Sequence, residues 1–364
     1  DVLLFYAARG AEFIRLDAIA FIWKEVGTSC IHLPQTHRII QLLREVLNEV
    51  APHVSIITET NVPHEDNITY FGDGHNEAQM VYNFSLPPLT LHAFHTGNAE
   101  VLSRWASTLT LPSNESTFFN FLASHDGIGV TPARGLLTDA EITRMAQRVE
   151  ALGGYVSYRN NSDGSRSAYE LNINYLDALG DPEQLHEEFD LVARRFLASQ
   201  AILLALRGVP GIYFHSLFGS RSWLAGVKEN GRFRTINRQK LERQVLEEEL
   251  ADPNSLRHRV FRDYHDLLRR RTTHPAFDPN GGQQVIFCHE SIFALLRTSA
   301  DGHSFALCLH NVANDSCQLT IDLGNIFPSP LSDLSDLISG RYYSLDGGQL
   351  VLTLAPYQVL WLTE

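Results

Sequence analysis

Thr36-His-Arg-Ile-Ile-Gln-Leu-Leu-Arg-Glu-Val-Leu-Asn-Glu-Val50, then Ala-Pro52-His, then Val54-Ser-Ile-Ile-Thr-Glu59 decides the fold. Ile39, Ile40, Leu43, Val46, Leu47 and Val50 fall on one side of a helix, and Pro52 stops it. The β-branched run 54–58 then reads as a strand that ends on an acid. Upstream, Glu12-Phe-Ile-Arg-Leu16 reads as a strand ending on Asp17. Downstream come a strand at 80–84, a helix near 99–109 and a strand at 117–122. An excursion over 127–182 follows, with a helix opened by the capping box Thr138-Asp-Ala-Glu141. A long apolar helix at 187–207, ended by Gly208, leads to a fifth strand at 210–214 and a helix at 256–271. Crossovers this long require parallel pairing, so the spacing predicts an α/β layer structure.

From Gln284 the texture changes. Short apolar runs at 285–287, 292–296, 305–309, 319–323 and 351–354 are separated by Asp-Gly, Asn-Asp and Gly-Gly turns, which predicts an antiparallel β-domain. The expected division is 1–277 for the α/β part and 278–364 for the β-domain. At the other end, Leu3, Leu4, Ala7 and Ala8 are helically spaced and Gly10 sits where a helix cap belongs. With no initiator Met and no basic leader segment, the chain is expected to open inside a helix already under way, with residues missing upstream.

Composition removes several classes. With 29 Lys plus Arg against 42 Asp plus Glu the net charge is −13, which is unsuited to nucleic acid or an anionic membrane. The longest apolar stretch, near 196–206, is too short to span a bilayer. The four cysteines, Cys30, Cys288, Cys308 and Cys317, form no paired motif, so neither a disulfide scaffold nor a zinc ribbon is expected, and the localisation expected is cytoplasmic.

Three acids, Asp17, Glu59 and Asp126, follow apolar strands. In a parallel sheet the strand C-termini open onto one face, so residues this distant in sequence converge there. Taken singly, an Asp after a strand also serves as a helix cap, and Asp126-Gly127 also reads as a turn pair. Glu59 is a poor cap beside Thr60-Asn61. Two carboxylates across a sugar are what cleavage of a glycosidic bond needs, one to attack the anomeric carbon and one to protonate the leaving oxygen. Arg15, two residues before Asp17, shares its strand face and is expected to keep it ionised. Glu59, enclosed beside two carboxylates, is expected to hold its proton.

Gly10-Ala-Glu-Phe-Ile-Arg-Leu-Asp-Ala18, Ile57-Thr-Glu-Thr60 and Phe121-Leu-Ala-Ser-His-Asp-Gly-Ile-Gly129 resemble three short conserved regions of the α-amylase clan of glycoside hydrolases, and more closely those of its sucrose phosphorylase subfamily. The resemblance implies a (β/α)8 barrel of the TIM type, here represented by strands four to eight, followed by the β-domain. It implies Asp17 as nucleophile, Glu59 as acid/base and Asp126 as transition-state stabiliser, with Arg15 and His125 lining the donor glucose subsite. Thr235-Ile-Asn-Arg238 resembles a subfamily signature whose Arg contacts the donor glucose, which points to Arg238. Tyr169-Glu-Leu-Asn-Ile-Asn-Tyr175 matches a mobile loop of these enzymes, and Tyr169 aligns with its phosphate-contacting tyrosine.

The implied function is a retaining α-glucoside phosphorylase. It needs no cofactor and no metal, and inorganic phosphate is its co-substrate. A hydrolase or transglucosidase of the same clan, or an inactive sugar-binding fragment, are the alternatives. Where sucrose-acting members carry Gln after the loop tyrosine this chain has Glu170, so fructose is not the expected acceptor. Asn160-Asn-Ser-Asp-Gly-Ser165 looks like the members handling glucosylglycerate, glucosylglycerol or phosphorylated sucrose. The first three barrel units have no counterpart, so the partners expected besides sugar and phosphate are a missing N-terminal segment or a second copy of the chain.

The remaining signals are weaker. His64-Glu-Asp66, His75 and His186 lack a metal-binding frame and read as surface or acceptor-side loop residues. Tyr155, Tyr158 and Tyr169 are candidates to stack on sugar rings, and Trp23 and Trp105 are expected in the packing. Arg159 and Arg166 flank the loop region. They read as solvated charges, with one of them a candidate to steer phosphate.

Overall fold

A computed structural model describes residues 1–161, 163–184, 188–324, 326–327 and 332–364. Four strands, β1 (Phe13–Leu16), β2 (Ser55–Thr58), β3 (Met80–Tyr82) and β4 (Thr117–Asn120), pair in parallel in chain order. After β4 the chain leaves the sheet and builds an antiparallel unit from β5 (Ile128–Gly129), β6 (Tyr155–Asn160) and β7 (Arg166–Asn172), with β7 in the middle. It returns as β8 (Val209–Pro210), parallel to β4. The sheet order is β1-β2-β3-β4-β8, with β1 and β8 at its edges.

The helix Pro34–Val50 starts two residues earlier than the pattern predicts, because Pro34 fits a first turn that needs no N–H donor. Its buried side is Thr36, Ile40, Arg44 and Leu47, whereas Val50 is exposed. Arg44 reaches the sheet by donating to the Val54 carbonyl and to Gln79 Oε1, both at 2.8 Å. The capping box at Thr138 forms as expected and opens the helix Asp139–Ala151. The long apolar helix runs Phe189–Ala205; its expected start at 187 and the signal at His186 lie outside the described residues.

Several helices are not predicted by the sequence pattern, among them Leu224–Asn230 and the longer one after β3. Leu86–Thr96 carries Pro87 and Pro88, which look like breakers but lie in the first turn, where they cost no hydrogen bond. It is buried almost all round, so it shows no amphipathic period. The segment expected as a loop at 169–175 is also different: Tyr169 to Asn172 lie in β7, paired to β6 and β5.

Among the described residues the β-domain has eight strands rather than the five expected. A six-stranded sheet runs in the order β14 (Tyr342–Ser344), β13 (Asp333–Asp336), β16 (Val359–Thr363), β11 (Phe305–Asn311), β10 (Ile292–Thr298), β9 (Gly282–Ile286). Two more strands, β12 (Cys317–Asp322) and β15 (Gln349–Leu354), pair with each other. Strict alternation in β12 and β15 turns Leu319, Ile321, Leu350 and Leu352 toward Ile292, Leu307, Leu309 and Leu362. The other face of the large sheet, with Phe293, Leu295, Cys308 and Trp361, joins the core around the helix Phe189–Ala205.

Arg297 fastens the two parts. Fully buried, it donates to the carbonyls of Gly282 at 2.9 Å, Ala205 at 2.8 Å and Asp278 at 2.7 Å. Burial pushes its guanidinium down to about 10, so it stays charged at neutral pH. Arg297→Leu strands three buried acceptors and is expected to cost about 3 kcal/mol or more in a urea titration. A change under roughly 0.5 kcal/mol would remove this role.

Candidate active site

The parallel ladder decides where the acids go. Asp17 follows β1 directly and Glu59 follows β2; the Glu59 N–H donates to the Leu16 carbonyl at 3.1 Å and holds the two strand ends level. Ala18, next to Asp17, adopts φ +46°, a left-handed conformation that costs an L-residue roughly 1–2 kcal/mol. In that conformation its N–H donates to Glu59 Oε2 at 2.9 Å. Arg15 sits beneath both acids: Nη1 donates to Asp17 Oδ1 at 2.7 Å and Nη2 lies 3.7 Å from Glu59 Oε1. One guanidinium therefore spans the two carboxylates. Its other side rests over the ring of Tyr82, 5.4 Å from the centroid.

The two acids differ in setting. The Asp17 side chain is 74% exposed and that of Glu59 15%. Burial raises the Glu59 carboxyl above its ordinary value, and the Asp17 and Asp126 carboxylates push the same way. The Ala18 N–H and Arg15 oppose them without winning.

Asp126 lies beyond β4 on the same side of the sheet. Its Oδ1 takes Nη2 of Arg238 at 2.8 Å and Nη1 of Arg234 at 3.0 Å, while Oδ2 is 3.7 Å from His125 Nε2. Arg238 also donates to the His125 carbonyl at 2.7 Å, and Asn237 to the Asp126 carbonyl at 2.9 Å. Arg234 grips Glu170 with a second pair of bonds, at 2.9 and 3.0 Å. Glu170 is buried and also accepts the Gly127 N–H at 3.2 Å. A Cβ on Gly127 would fall 2.6 Å from Glu170 Cγ, so that turn requires glycine.

Together these residues line a cleft of about 530 Å³. Asp17, Glu59, Asp126, Arg15, His125 and Tyr169, all expected at the site, are among its lining. Arg238 stands behind Asp126 and holds it. Arg238 is not among the residues that line the cleft, whereas Arg234, four residues earlier in the short helix Phe233–Asn237, is. The sequence reading missed Arg234 and also the aromatic wall of Tyr82, Phe84 and Phe121, whose ring centroids lie 5.1–5.6 Å apart. The run Tyr82-Asn-Phe84 at a strand end was the available signal.

Of the weaker candidates, Tyr155 stacks on Phe233 and Tyr158 lies under Arg166, so neither lines the cleft. Trp105 is buried as expected, but Trp23 is 42% exposed. His64 is not in a loop; it opens the short helix His64–Ile68 and packs near Trp105 and Phe118. His75 contacts Glu115. Among the described residues no group of three His, Cys, Asp or Glu side chains is placed to hold a metal ion, and no helix is long and apolar enough to cross a membrane.

The five-stranded parallel sheet, the carboxylate-lined cleft at its strand C-termini and the β-domain that follows are similar in fold to solved α-amylases and phosphorylases. An α-amylase from H. orenii superposes with a TM-score of 0.65 over 99% of this chain and 62% of that one, at 16% identity. The sucrose 6F-phosphate phosphorylase from Thermoanaerobacter thermosaccharolyticum gives 0.70 over 85% of this chain and 58% of that one, at 21% identity. No protein-family model matches the chain.

In sequence the chain is similar to glucosylglycerate and sucrose phosphorylases. It is 48% identical over 367 residues to the glucosylglycerate phosphorylase of Spirochaeta thermophila and 46% identical over 363 residues to that of Escherichia coli. Both alignments take in 100% of this chain and 62% of the relative. Against the sucrose phosphorylase of Bifidobacterium adolescentis identity is 28% over 283 residues, covering 75% of this chain and 51% of that protein. The chain thus spans about three-fifths of the length of the glucosylglycerate phosphorylases it matches.

Proposed function

We propose that this chain carries the acid-bearing part of a retaining α-glucoside phosphorylase acting on glucosylglycerate. Its five strands correspond to the fourth to eighth of the barrel, within 1–277, and 278–364 form the C-terminal β-domain. The carrying observation is the single guanidinium of Arg15 that spans an exposed Asp17 and an enclosed Glu59. Two carboxyl groups that meet across a sugar, about 5–5.5 Å apart in retaining enzymes, with different protonation states, are what two-step retention requires.

In the first step Asp17 attacks the anomeric carbon, the bond to the acceptor oxygen breaks, and Glu59 gives that oxygen its proton. The glucosyl group is then a β-linked ester of Asp17. In the second step a phosphate oxygen attacks the same carbon, Glu59 takes the phosphate proton, and the ester bond to Asp17 breaks. The product is α-glucose 1-phosphate, with two inversions and net retention. Asp126, fixed on one oxygen by Arg234 and Arg238, has its other oxygen available for sugar hydroxyls as the ring flattens. No electrons change hands, so no redox cofactor is called for.

The exposure of Asp17 favours one alternative, attack by water on the ester, which makes the protein a hydrolase. Incubation of the protein with glucosylglycerate and phosphate separates the two. Phosphate-dependent glucose 1-phosphate is the expected product; free glucose at a rate indifferent to phosphate contradicts the proposal.

Glu59 also sets the pH dependence. A carboxyl raised by burial keeps its proton above the ordinary range near ~4.3, so the first step is lost only above the elevated pKa. The second step needs the carboxylate and is lost below it. The alkaline limb of kcat/KM for the glucoside is expected above the ordinary carboxylate value, and a limb at or below that value would refute the raised pKa.

A further inference from the structure

The cleft holds a charge that the ion pairs above do not use. Asp17, Glu59, Asp66, Asp126 and Glu170 line the cleft, in a chain of net charge −13, so an anion entering it meets acids first. Arg15 is committed to Asp17 and Glu59, and Arg234 to Glu170 and Asp126. Arg159 is the third arginine in the lining. Its Nε donates to Ser167 Oγ at 3.2 Å, and among the described residues no carboxylate lies within ion-pair distance of it. It is exposed.

The hairpin that carries Arg159 also places it. Arg159 on β6 pairs across to Ser167 on β7, and the register slips at Ser157/Tyr158, leaving Tyr169 as the extra residue. Bulges of this kind re-aim side chains beside sites, and Tyr169 does line the cleft with Arg159. Arg166, on the same hairpin, turns away over the Tyr158 ring at 5.0 Å. The hairpin thus delivers one arginine to the cleft and disposes of the other.

We propose that Arg159 is the oxyanion-reading residue of the acceptor side, taking the carboxylate of the departing hydroxy acid in one half-reaction and an oxygen of inorganic phosphate in the other. This rests on the phosphorylase reading and adds to it the chemistry of recognition. With Nε held by Ser167, the Nη1/Nη2 edge of a planar guanidinium pairs equally with a carboxylate and a phosphate. A neutral polyol in the same place gains no ion pair from it. The shared residue makes glycerate and phosphate rivals for one position, as a two-step exchange needs.

The test is equilibrium binding by titration calorimetry on the complete polypeptide, wild type against Arg159→Gln and Arg159→Lys, with glycerate, glycerol and inorganic phosphate. Expected are a loss of about 10- to 100-fold in affinity for both anions in Arg159→Gln, partial retention in Arg159→Lys, and displacement of glycerate by phosphate in the wild type. Anion affinities unaltered in Arg159→Gln overturn the proposal. A loss confined to glycerate, or to phosphate, overturns the shared use and identifies the one anion Arg159 reads. Binding needs no turnover, so failure of the phosphorylase reading shows separately, as absence of phosphate-dependent glucose 1-phosphate from a wild-type protein that still binds both anions.

Discussion

Asp17→Asn is expected to lower glucosyl transfer by about five orders of magnitude, the scale on which loss of a covalent nucleophile is felt. The amide matches the carboxylate in size and can still face Arg15, so the cleft keeps its shape. What disappears is the anionic oxygen that attacks the anomeric carbon and the charge that stabilises the oxocarbenium-like transition state. The side chain is mostly exposed, so folding stability is expected to stay within roughly 0.5 kcal/mol. Initial rates of glucose 1-phosphate release, with a thermal melt recorded in parallel, check both halves. A variant within tenfold of the parent rate removes Asp17 from the nucleophile's role.

Glu59→Gln is expected to have a smaller and more selective effect. The amide still accepts the Ala18 N–H but has no proton to give. For a poor leaving group such as the alkoxide of glycerate the loss is expected near 1,000-fold, within the usual range for general acid catalysis. For α-glucosyl fluoride, whose leaving group needs little protonation, the first step is expected to lose far less, and the ester on Asp17 accumulates because no base remains for the second step. The alkaline limb ascribed to Glu59 vanishes as well. Equal losses across leaving groups would mean that the buried carboxyl orders the cleft rather than moving a proton.

Features of the chain with a short-range physical cause were legible in the sequence. The first four parallel strands, the helix before β2 and the capping box at Thr138 follow from side-chain period, proline and cap chemistry, each settled within a few residues, whereas the fifth strand, expected at 210–214, is only Val209–Pro210. Convergence of Asp17, Glu59 and Asp126 on one cleft follows from parallel pairing alone. The helix Leu86–Thr96 was hidden because burial on all sides erases the period that betrays a helix. The ion pair of Glu170 with Arg234 bridges 64 positions, and nothing local marks either partner. Glu170 was noticed as an unusual residue after Tyr169, while its consequence, a guanidinium tied between it and Asp126, needed the folded chain. The hairpin of β6 and β7 was masked by its polar outer half, Tyr158-Arg-Asn160 facing Arg166-Ser167.

Among the described residues no strand pairs with the outer sides of β1 and β8, which bears on how these experiments are run. Parallel strands rarely stand with unpaired flanks, and apolar side chains near β1, among them Phe13 and Phe21, are about half exposed. Our reading that these are barrel strands four to eight supplies three further βα units to cover them. Adding those units, as a longer chain or as a separate polypeptide, is then expected to raise both stability and turnover, which a melt with and without them measures.

The most direct test is to trap the ester. Glu59→Gln protein incubated with α-glucosyl fluoride, quenched in acid and digested, is expected to carry the mass of one anhydroglucosyl unit on the peptide containing Asp17. An unmodified Asp17 peptide, or the same mass on any other carboxylate, would contradict the mechanism.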